Sequence, residues 1–277
     1  MEAPAPITRA WLREDTSTSL LLRISRFVRA TGHVVEGLAT IVVVFPWIGK
    51  ARQQAIVRHW SGRLLRIFGI ETRVQGRPPG GRPRGMVLVA NHVSWLDIFV
   101  LNAVQPARFI AKAELRRWPV VGWLMAGVGT LFIERSRRRH THEINRRVGA
   151  ALASGDVVAI FPEGTTSEGI DVQPFHGSLL QPVIDVGGQV QPVAIRYLAS
   201  GLPTSVPAYL EDVSFLGSVW RITAARAMVV ELTFAAAIPA AKQHRRALAR
   251  ASETAIRAAL ELPHCGREPG TPGDREA

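Results

Sequence analysis

Residues 86–97 read MVLVANHVSWLD and decide the fold of the surrounding chain. The first five residues are all apolar and predict a short strand that is buried on both faces. The run ends at Asn91, and a helical pattern begins near Asp97. This segment therefore predicts a strand, a turn and a helix, with His92 delivered to the carboxyl end of the strand.

Further apolar runs alternate with helical patterns along the chain. The strand-like runs are residues 108–111, 131–133, 157–161, 190–197 and 228–234. Alternating strands and helices favour an α/β fold with a mostly parallel central sheet flanked by helices. Functional groups gather at the carboxyl ends of such strands. His92 and Glu163 both follow predicted strands directly, so we treat them as candidate functional residues.

Composition limits the class of protein. The chain has 277 residues, of which 47% are hydrophobic, which excludes a disordered protein and suits one large domain. It carries 34 Lys and Arg against 22 Asp and Glu, a net charge of +12. This charge indicates an anionic partner: a membrane surface, a nucleic acid or a phosphate-bearing substrate. The single cysteine, Cys265, excludes an internal disulfide and a cysteine-based metal site.

The N-terminal region predicts docking to a membrane surface. Residues 20–30 place apolar side chains among arginines, and residues 37–49 form a short apolar run. We expect this helical pair to lie in one leaflet rather than to cross the membrane, with two ordinary core helices as the alternative. The expected organisation is an N-terminal helical region over 1–75, an α/β domain over 76–262 and a flexible tail over 263–277.

The spacing of His92 and Asp97 suits an acid–base pair. A carboxylate five residues after a histidine can fold back across one turn, fix the imidazole tautomer and raise its basicity. This is the orienting half of a Ser-His-Asp triad without the serine, so the nucleophile would be a hydroxyl on the substrate. The alternative is structural, with Asp97 as a charge at a helix N-terminus.

Two more motifs carry polar groups at predicted strand ends. Residues 161–167, FPEGTTS, combine a carboxylate, a glycine that permits positive φ, and three hydroxyls, although an ordinary turn is the alternative. Residues 129–135, GTLFIER, place Arg135 just after a strand, where a guanidinium can bind phosphate in bidentate fashion. Lys112 is a further candidate cation.

Several other function classes lack their motifs here. A G-x-S-x-G elbow, a P-loop and a G-x-G-x-x-G loop are all missing from the sequence. His140, His142 and Glu143 fall in an Arg-rich helical pattern and predict surface residues rather than metal ligands. A nucleic-acid-binding protein is the main non-enzymatic alternative, although no recognition motif accompanies the charge.

The ordered motifs resemble four sequence blocks of the lysophosphatidate acyltransferase family, which comprises 1-acyl-sn-glycerol-3-phosphate O-acyltransferases and related lysophospholipid acyltransferases. These blocks are NHVSWLD from Asn91, GTLFIER from Gly129, FPEGTTS from Phe161 and VQPVAI from Val190. The similarity covers residues from about 86 to 196 and is greatest to bacterial members. It implies a glycerolphosphate acyltransferase-like fold and a role in phospholipid biosynthesis at the cytoplasmic face of the bacterial inner membrane, as a peripheral or monotopic protein.

The resemblance also implies a mechanism. His92 would act as general base on the free hydroxyl of a lysolipid, with Asp97 orienting it, and the oxygen would attack the thioester of acyl-CoA or acyl-carrier protein. No acyl-enzyme, metal or other cofactor is implied. Arg135 is the implied phosphate contact, and Lys112 is a second cation of the acceptor site. The residues implied to shape that site are Glu163, Gly164 and Thr165, with backbone amides near Gly164 as candidate oxyanion donors.

Two departures from the family pattern bear on the acceptor. Many members carry Arg where this chain has Thr166, and Lys or Arg where it has His176. The first change removes a phosphate-binding cation and leaves more of that task to Arg135. We expect 1-acyl-sn-glycerol-3-phosphate as acceptor and phosphatidate as product. The alternative acceptors are lyso-ornithine lipid, which related bacterial enzymes with an FPEGTT-type block acylate, and other lysophospholipids.

Overall fold

The computed structural model of the chain describes residues 18–80, 85–133, 138–210 and 212–263, with residues 138–142 described by their backbone alone. Arg135 and Cys265 lie outside these ranges. The predicted flexible tail is also outside them, apart from its first residue, Pro263.

Eight α-helices and nine strands alternate along the described part of the chain, as predicted for an α/β protein. The helices are α1 (Leu20–Val43), α2 (Lys50–Ile67), α3 (Asp97–Val104), α4 (Val121–Gly127), α5 (Arg138–Ala153), α6 (Gln181–Asp185), α7 (Phe215–Ala224) and α8 (Arg245–Ala259). The strands are β1 (Ile70–Gly76), β2 (Met86–Ala90), β3 (Arg108–Lys112), β4 (Leu131–Ile133), β5 (Val158–Ile160), β6 (Gln189–Ala199), β7 (Leu202–Pro203), β8 (Met228–Phe234) and β9 (Ile238–Pro239). Short 3₁₀ turns precede α2, α4 and α6.

The strands form one mixed sheet in the order β1-β8-β6-β2-β5-β3-β4, with the short β7 and β9 attached to β6. The run from β6 through β2, β5 and β3 to β4 is parallel throughout. The other parallel pair, β1 and β8, joins this run through an antiparallel contact between β8 and β6. The prediction of a mostly parallel sheet is therefore confirmed.

The central strand β2 is covered on both faces, which explains its continuous apolar sequence. Val87 and Val89 point into the core formed with α5, α6 and α8, while Leu88 and Ala90 pack into the core formed with α2, α3 and α7. All five residues of the strand are buried. Each fully buried Val or Leu side chain contributes about 1.5–3 kcal/mol to folding, so β2 is a strong anchor for the turn that follows it.

The N-terminal helices differ in detail from the expectation. The predicted segment 20–30 and the first part of the second segment, residues 37–43, belong to one long helix, α1, because no proline interrupts the chain between them. The helix ends before the 3₁₀ turn that contains Pro46. By length and composition, residues 20–47 could cross a membrane: their most apolar 18-residue window has a mean hydropathy of 1.5, and 17% of that window is buried.

The assignment of residues 70–75 to the N-terminal helical region was wrong. They form most of β1, which pairs in parallel with β8 at the edge of the sheet. The preceding helix α2 buries Leu64 and Leu65 in the same core as the central strands. The expected boundary at residue 76 therefore falls at the last residue of a sheet strand.

Two glycines allow the starts of β2 and β6 to meet. Gly85 has φ +66°, and a methyl group added to Gly188 would overlap the Gly85 carbonyl oxygen. That oxygen accepts a hydrogen bond from the Gln189 N–H at 2.8 Å. Backbone atoms thus lie on both sides of this contact, and neither side can move without disturbing the pairing of β2 with β6.

We expect Gly188→Ala to lower the free energy of unfolding by more than about 2 kcal/mol, because the added methyl overlaps backbone. Gly149→Ala on α5 is the matched control, since open space surrounds the added methyl and alanine favours a helix. It should raise the free energy of unfolding by up to about 1 kcal/mol. Urea unfolding of both variants measures these changes, and equal stabilities would contradict the proposed close approach.

Candidate active site

The predicted functional groups follow strands that are neighbours in the sheet. Because β2, β5, β3 and β4 are parallel, their carboxyl ends lie along one edge. His92 follows β2, Glu163 follows β5, and Lys112 is the last residue of β3, with an exposed side chain. Arg135, the predicted phosphate contact, comes shortly after the end of β4 and lies outside the described residues.

The structure brings His92 and Asp97 together. His92 Nδ1 lies 2.8 Å from Asp97 Oδ2, and Asp97 is the first residue of α3. The Asp97 side chain is fully buried, whereas 19% of the His92 side chain is exposed. Because the carboxylate accepts a hydrogen bond from the Nδ1–H group, Nε2 is the basic nitrogen of the neutral ring. The pair can therefore take up a proton from a substrate hydroxyl.

The turn between β2 and α3 is folded around the Asp97 carboxylate. The backbone N–H groups of Val93 and Ser94 donate to Oδ2 at 2.8 and 2.9 Å. The Tyr197 hydroxyl donates to the other oxygen, Oδ1, at 2.7 Å. These contacts leave the carboxylate little rotational freedom, so Oδ2 stays directed at the imidazole.

Tyr197 is a site residue that the sequence analysis missed. It is buried near the end of β6, on the sheet face that also carries Ile195. Burial first, and then the charge and hydrogen bond of Asp97, raise the pKa of this phenol well above its usual value. Tyr197 therefore keeps its proton and donates a hydrogen bond to Asp97. The sequence signal that could have identified Tyr197 is its position two residues after the VQPVAI block, on the same strand face as Ile195.

Glu163 links the turn after β2 to the loop after β5. Its Oε1 accepts the His92 N–H at 2.7 Å, and its Oε2 accepts the Gln173 N–H at 3.2 Å. The side chain is buried, and burial raises the pKa of its carboxyl to about 7. The two backbone hydrogen bonds oppose this increase, and the negative charges of Asp97 and Asp171 add to it.

Residues of the FPEGTTS block hold His92 from several sides. Besides the contact of Glu163 with the His92 N–H, the Ser167 N–H and hydroxyl both donate to the His92 carbonyl oxygen, at 2.8 and 3.2 Å. The Phe161 ring stacks on the imidazole with a centroid distance of 3.9 Å and an interplanar angle of 8°. Much of this block therefore positions the histidine.

The other residues of the block have separate roles. Gly164 has φ +77°, and its N–H donates to the Phe161 carbonyl oxygen at 3.1 Å, so it closes the turn after β5. This hydrogen bond engages the Gly164 amide, which is one of the backbone amides considered as oxyanion donors. Thr165 is exposed, whereas the Thr166 hydroxyl donates to the carbonyl oxygen of Tyr209. Thr166 thus secures a neighbouring loop where many family members carry a cation.

Residues considered as metal ligands do not form a cluster in the described part of the chain. Glu143 is paired with Arg146 and Arg147 on the surface of α5, while the side chains of His140 and His142 are outside the description. Among the described residues, no group of three His, Cys, Asp or Glu side chains is arranged to hold a metal ion.

Known proteins resemble the chain across both the site and the fold. An Acyltransferase family model matches residues 71–196. The 1-acyl-sn-glycerol-3-phosphate acyltransferase of Neisseria gonorrhoeae is 40% identical over 249 residues, covering 89% of this chain and 96% of that protein. The lyso-ornithine lipid O-acyltransferase of Pseudomonas aeruginosa is 38% identical over 208 residues, covering 75% of this chain and 79% of that protein.

A solved structure shares the fold. The crystal structure of the 1-acyl-sn-glycerophosphate acyltransferase PlsC from Thermotoga maritima matches with a TM-score of 0.65 at 22% identity, over 87% of this chain and 95% of that chain. The family-model match includes all four sequence blocks, and the Neisseria relative matches over nearly its whole length. The chain therefore belongs to the lysophosphatidate acyltransferase family and is an acyltransferase.

Proposed function

We propose that this enzyme transfers an acyl chain from a thioester donor to the free hydroxyl of 1-acyl-sn-glycerol-3-phosphate and so makes phosphatidate. The observation that carries the proposal is the contact between His92 and the buried Asp97, with Nε2 as the basic nitrogen at the sheet edge. The 40% identity to the Neisseria enzyme supports lysophosphatidate as the acceptor.

In the proposed reaction, His92 acts first as a general base and then, once protonated, as a general acid. His92 Nε2 takes the proton of the acceptor hydroxyl while the oxygen forms a bond to the thioester carbonyl carbon. Asp97 stabilises the resulting imidazolium through its contact with Nδ1. The tetrahedral intermediate then breaks its C–S bond, and the imidazolium returns the proton to the departing thiolate. A thioester is already activated, so a positioned base suffices, and we propose no metal or redox cofactor.

The acyl donor is proposed to be acyl-CoA or acyl-carrier protein, which present the same thioester to the base. For the acceptor phosphate we propose Lys112, exposed at the end of β3, together with Arg135. Lys112 ends β3 and Arg135 comes shortly after β4, and these two strands are adjacent in the sheet. The remaining residues proposed to shape the acceptor site are Glu163, Gly164 and Thr165.

Lyso-ornithine lipid is the second candidate acceptor. The specific observation in its favour is the Thr166 hydroxyl, which is bonded to the carbonyl oxygen of Tyr209 where many family members carry a cation. A named lyso-ornithine lipid O-acyltransferase is also 38% identical to this chain. An acceptor without a glycerol phosphate would have less need of a cation at this position.

We further propose that the enzyme lies on the cytoplasmic face of the bacterial inner membrane as a monotopic protein. Helix α1 exposes many large apolar side chains, and Arg29 is exposed among them. Exposed apolar surface with interspersed arginines suits an anionic lipid surface. Both the lysolipid acceptor and its product are amphiphiles that reside in such a surface.

The acceptor proposal is tested by acyl transfer from labelled acyl-CoA and acyl-carrier protein to lysophosphatidate and lyso-ornithine lipid in parallel. We expect kcat/KM to be higher for lysophosphatidate.

His92→Ala should lower kcat by about 10²–10⁴-fold because the general base is lost, with the circular dichroism spectrum unchanged. Transfer to lyso-ornithine lipid alone would replace the proposed acceptor, and an active His92→Ala enzyme would remove the proposed base.

Tyr197→Phe should lower kcat about tenfold, because Asp97 loses a charge-assisted hydrogen bond while the acceptor KM depends on other groups. The acceptor KM should stay nearly unchanged, and steady-state kinetics with thermal melting measure these effects. A purely structural role would instead reduce the melting temperature and raise KM as kcat falls.

Glu163 should make stability depend on pH. Its folded pKa of about 7 exceeds the ordinary value of 4.5, so its stabilising contribution is complete below pH 4.5 and is lost as pH rises through 7. Glu163→Gln does not titrate. Its stability relative to the unmodified enzyme should therefore rise across this range, by up to about 3 kcal/mol. Urea unfolding at several pH values measures this difference, and parallel stability curves would contradict the shifted pKa.

A further inference from the structure

A short apolar segment on the surface runs from the end of the 3₁₀ turn after β3 into the first turn of α4. Residues 118–123 read WPVVGW, and the exposed fractions of Trp118, Val120 and Trp123 are 39%, 37% and 61%. Large apolar side chains of this kind ordinarily pack inside a protein. The acyl-transfer mechanism uses none of the three, so their exposure requires another explanation.

A strained turn holds this segment outward. The Val121 N–H donates to the Pro119 carbonyl oxygen at 2.7 Å, which closes a three-residue γ-turn around Val120. Val120 has φ +67° and ψ −63°, a conformation that is costly for a β-branched residue. A side chain added to Gly122 would overlap the Arg116 carbonyl oxygen, so the turn is tightly closed. Strain of this kind persists where the surrounding structure imposes it, and here it accompanies an exposed valine between two exposed tryptophans.

The segment continues into a larger apolar surface. The Trp118 ring meets the edge of Phe215 on α7 at a centroid distance of 6.1 Å. Helix α7 in turn exposes Leu216 and Trp220, and Trp220 contacts Phe27 of α1 at 6.4 Å. We use the term tryptophan face for the exposed residues of the catalytic domain in this surface: Trp118, Val120, Trp123, Leu216 and Trp220. The face is thus continuous with α1.

Positive charges border the tryptophan face. Arg116 and Arg117 are exposed directly before Trp118. On the α1 side, the Arg23 guanidinium lies 4.3 Å from the centre of the Trp220 ring. Tryptophan rings with neighbouring arginines suit the interface of an anionic bilayer, where the rings sit among headgroups and the guanidinium groups meet lipid phosphates.

The face also adjoins the active site. Phe215, which contacts Trp118, lies 5.2 Å from Trp95 between ring centroids. Trp95 belongs to the turn between His92 and Asp97. A series of three aromatic rings therefore connects the surface segment with the turn that holds the base.

We propose that the tryptophan face is a second membrane contact, made by the catalytic domain itself, which holds the active-site edge against an anionic bilayer. The inference rests on the proposed membrane location and is independent of the acceptor. Helix α1 supplies the first contact, and the tryptophan face sets the orientation of the active site towards the leaflet that contains the lysolipid.

The test measures binding of the full-length enzyme to phosphatidylcholine vesicles with and without phosphatidylglycerol, by co-sedimentation. We expect Trp123→Ser to weaken binding to the anionic vesicles about tenfold, because a large apolar side chain no longer enters the interface. Val120→Ser should weaken it less. Val186→Ser is the matched control. Val186 is 40% exposed and lies beside Gly85, at the amino ends of the parallel strands, whereas residues 118–123 come after the carboxyl end of β3. Val186→Ser should bind as the unmodified enzyme does.

A second measurement distinguishes loss of membrane contact from a folding defect. Brominated phosphatidylcholine quenches the emission of tryptophans that enter the bilayer, and Trp123→Phe should lose part of this quenching while it keeps its vesicle affinity. Acyl transfer in detergent micelles should be unchanged in Trp123→Ser, which separates this proposal from the proposed function. Equal vesicle binding by Trp123→Ser and Val186→Ser would overturn the proposal. Loss of self-association by Trp123→Ser without loss of vesicle binding would overturn it as well, because the face would then be an interface between protein copies.

Discussion

The buried carboxylate of Asp97 is the constraint on which the rest of the candidate active site depends. A carboxylate removed from water costs several kcal/mol unless hydrogen-bond donors surround it. Three donors come from the turn after β2, namely the His92 imidazole and the Val93 and Ser94 amides, and the fourth is the Tyr197 hydroxyl near the end of β6. The turn, the start of α3 and the end of β6 must all be in place before the charge is satisfied. Formation of the base is thereby coupled to formation of the central sheet.

The second buried carboxyl, Glu163, differs from Asp97 in its surroundings and in its role. It accepts two backbone N–H groups, and burial raises its pKa to about 7. Near neutral pH, a fraction of Glu163 is therefore uncharged, which lessens its repulsion with Asp97. The charge that faces the imidazole is that of Asp97, whereas Glu163 holds the histidine backbone. Two acidic residues near one histidine thus perform different tasks because their hydrogen-bond partners differ.

Sequence reasoning succeeded where the signal was local. The apolar run of β2 and the five-residue spacing of His92 and Asp97 were sufficient to predict a strand, a turn and a helix that bring the pair together. Tyr197 is 100 residues away from Asp97 along the chain, and its role depends on the pairing of β6 with β2, which local pattern does not reveal. Residues 70–75 were misassigned because β1 lies at the sheet edge and is largely exposed. Its polar composition resembles that of the preceding helix more than that of a buried strand.

The same interactions connect the turn that holds the proposed base with the proposed membrane-facing surface. Trp95 lies within the turn around Asp97 and contacts Phe215 of α7, while Phe27 of α1 contacts Trp220 on the same helix. Helix α7 therefore packs against both the catalytic turn and the N-terminal apolar helix. In the proposed membrane orientation, a lysolipid hydroxyl reaches His92 from the interface, and its acyl chain stays in the leaflet. The energetic cost of extracting an amphiphile into water is then avoided, because the protein places its base at the interface instead.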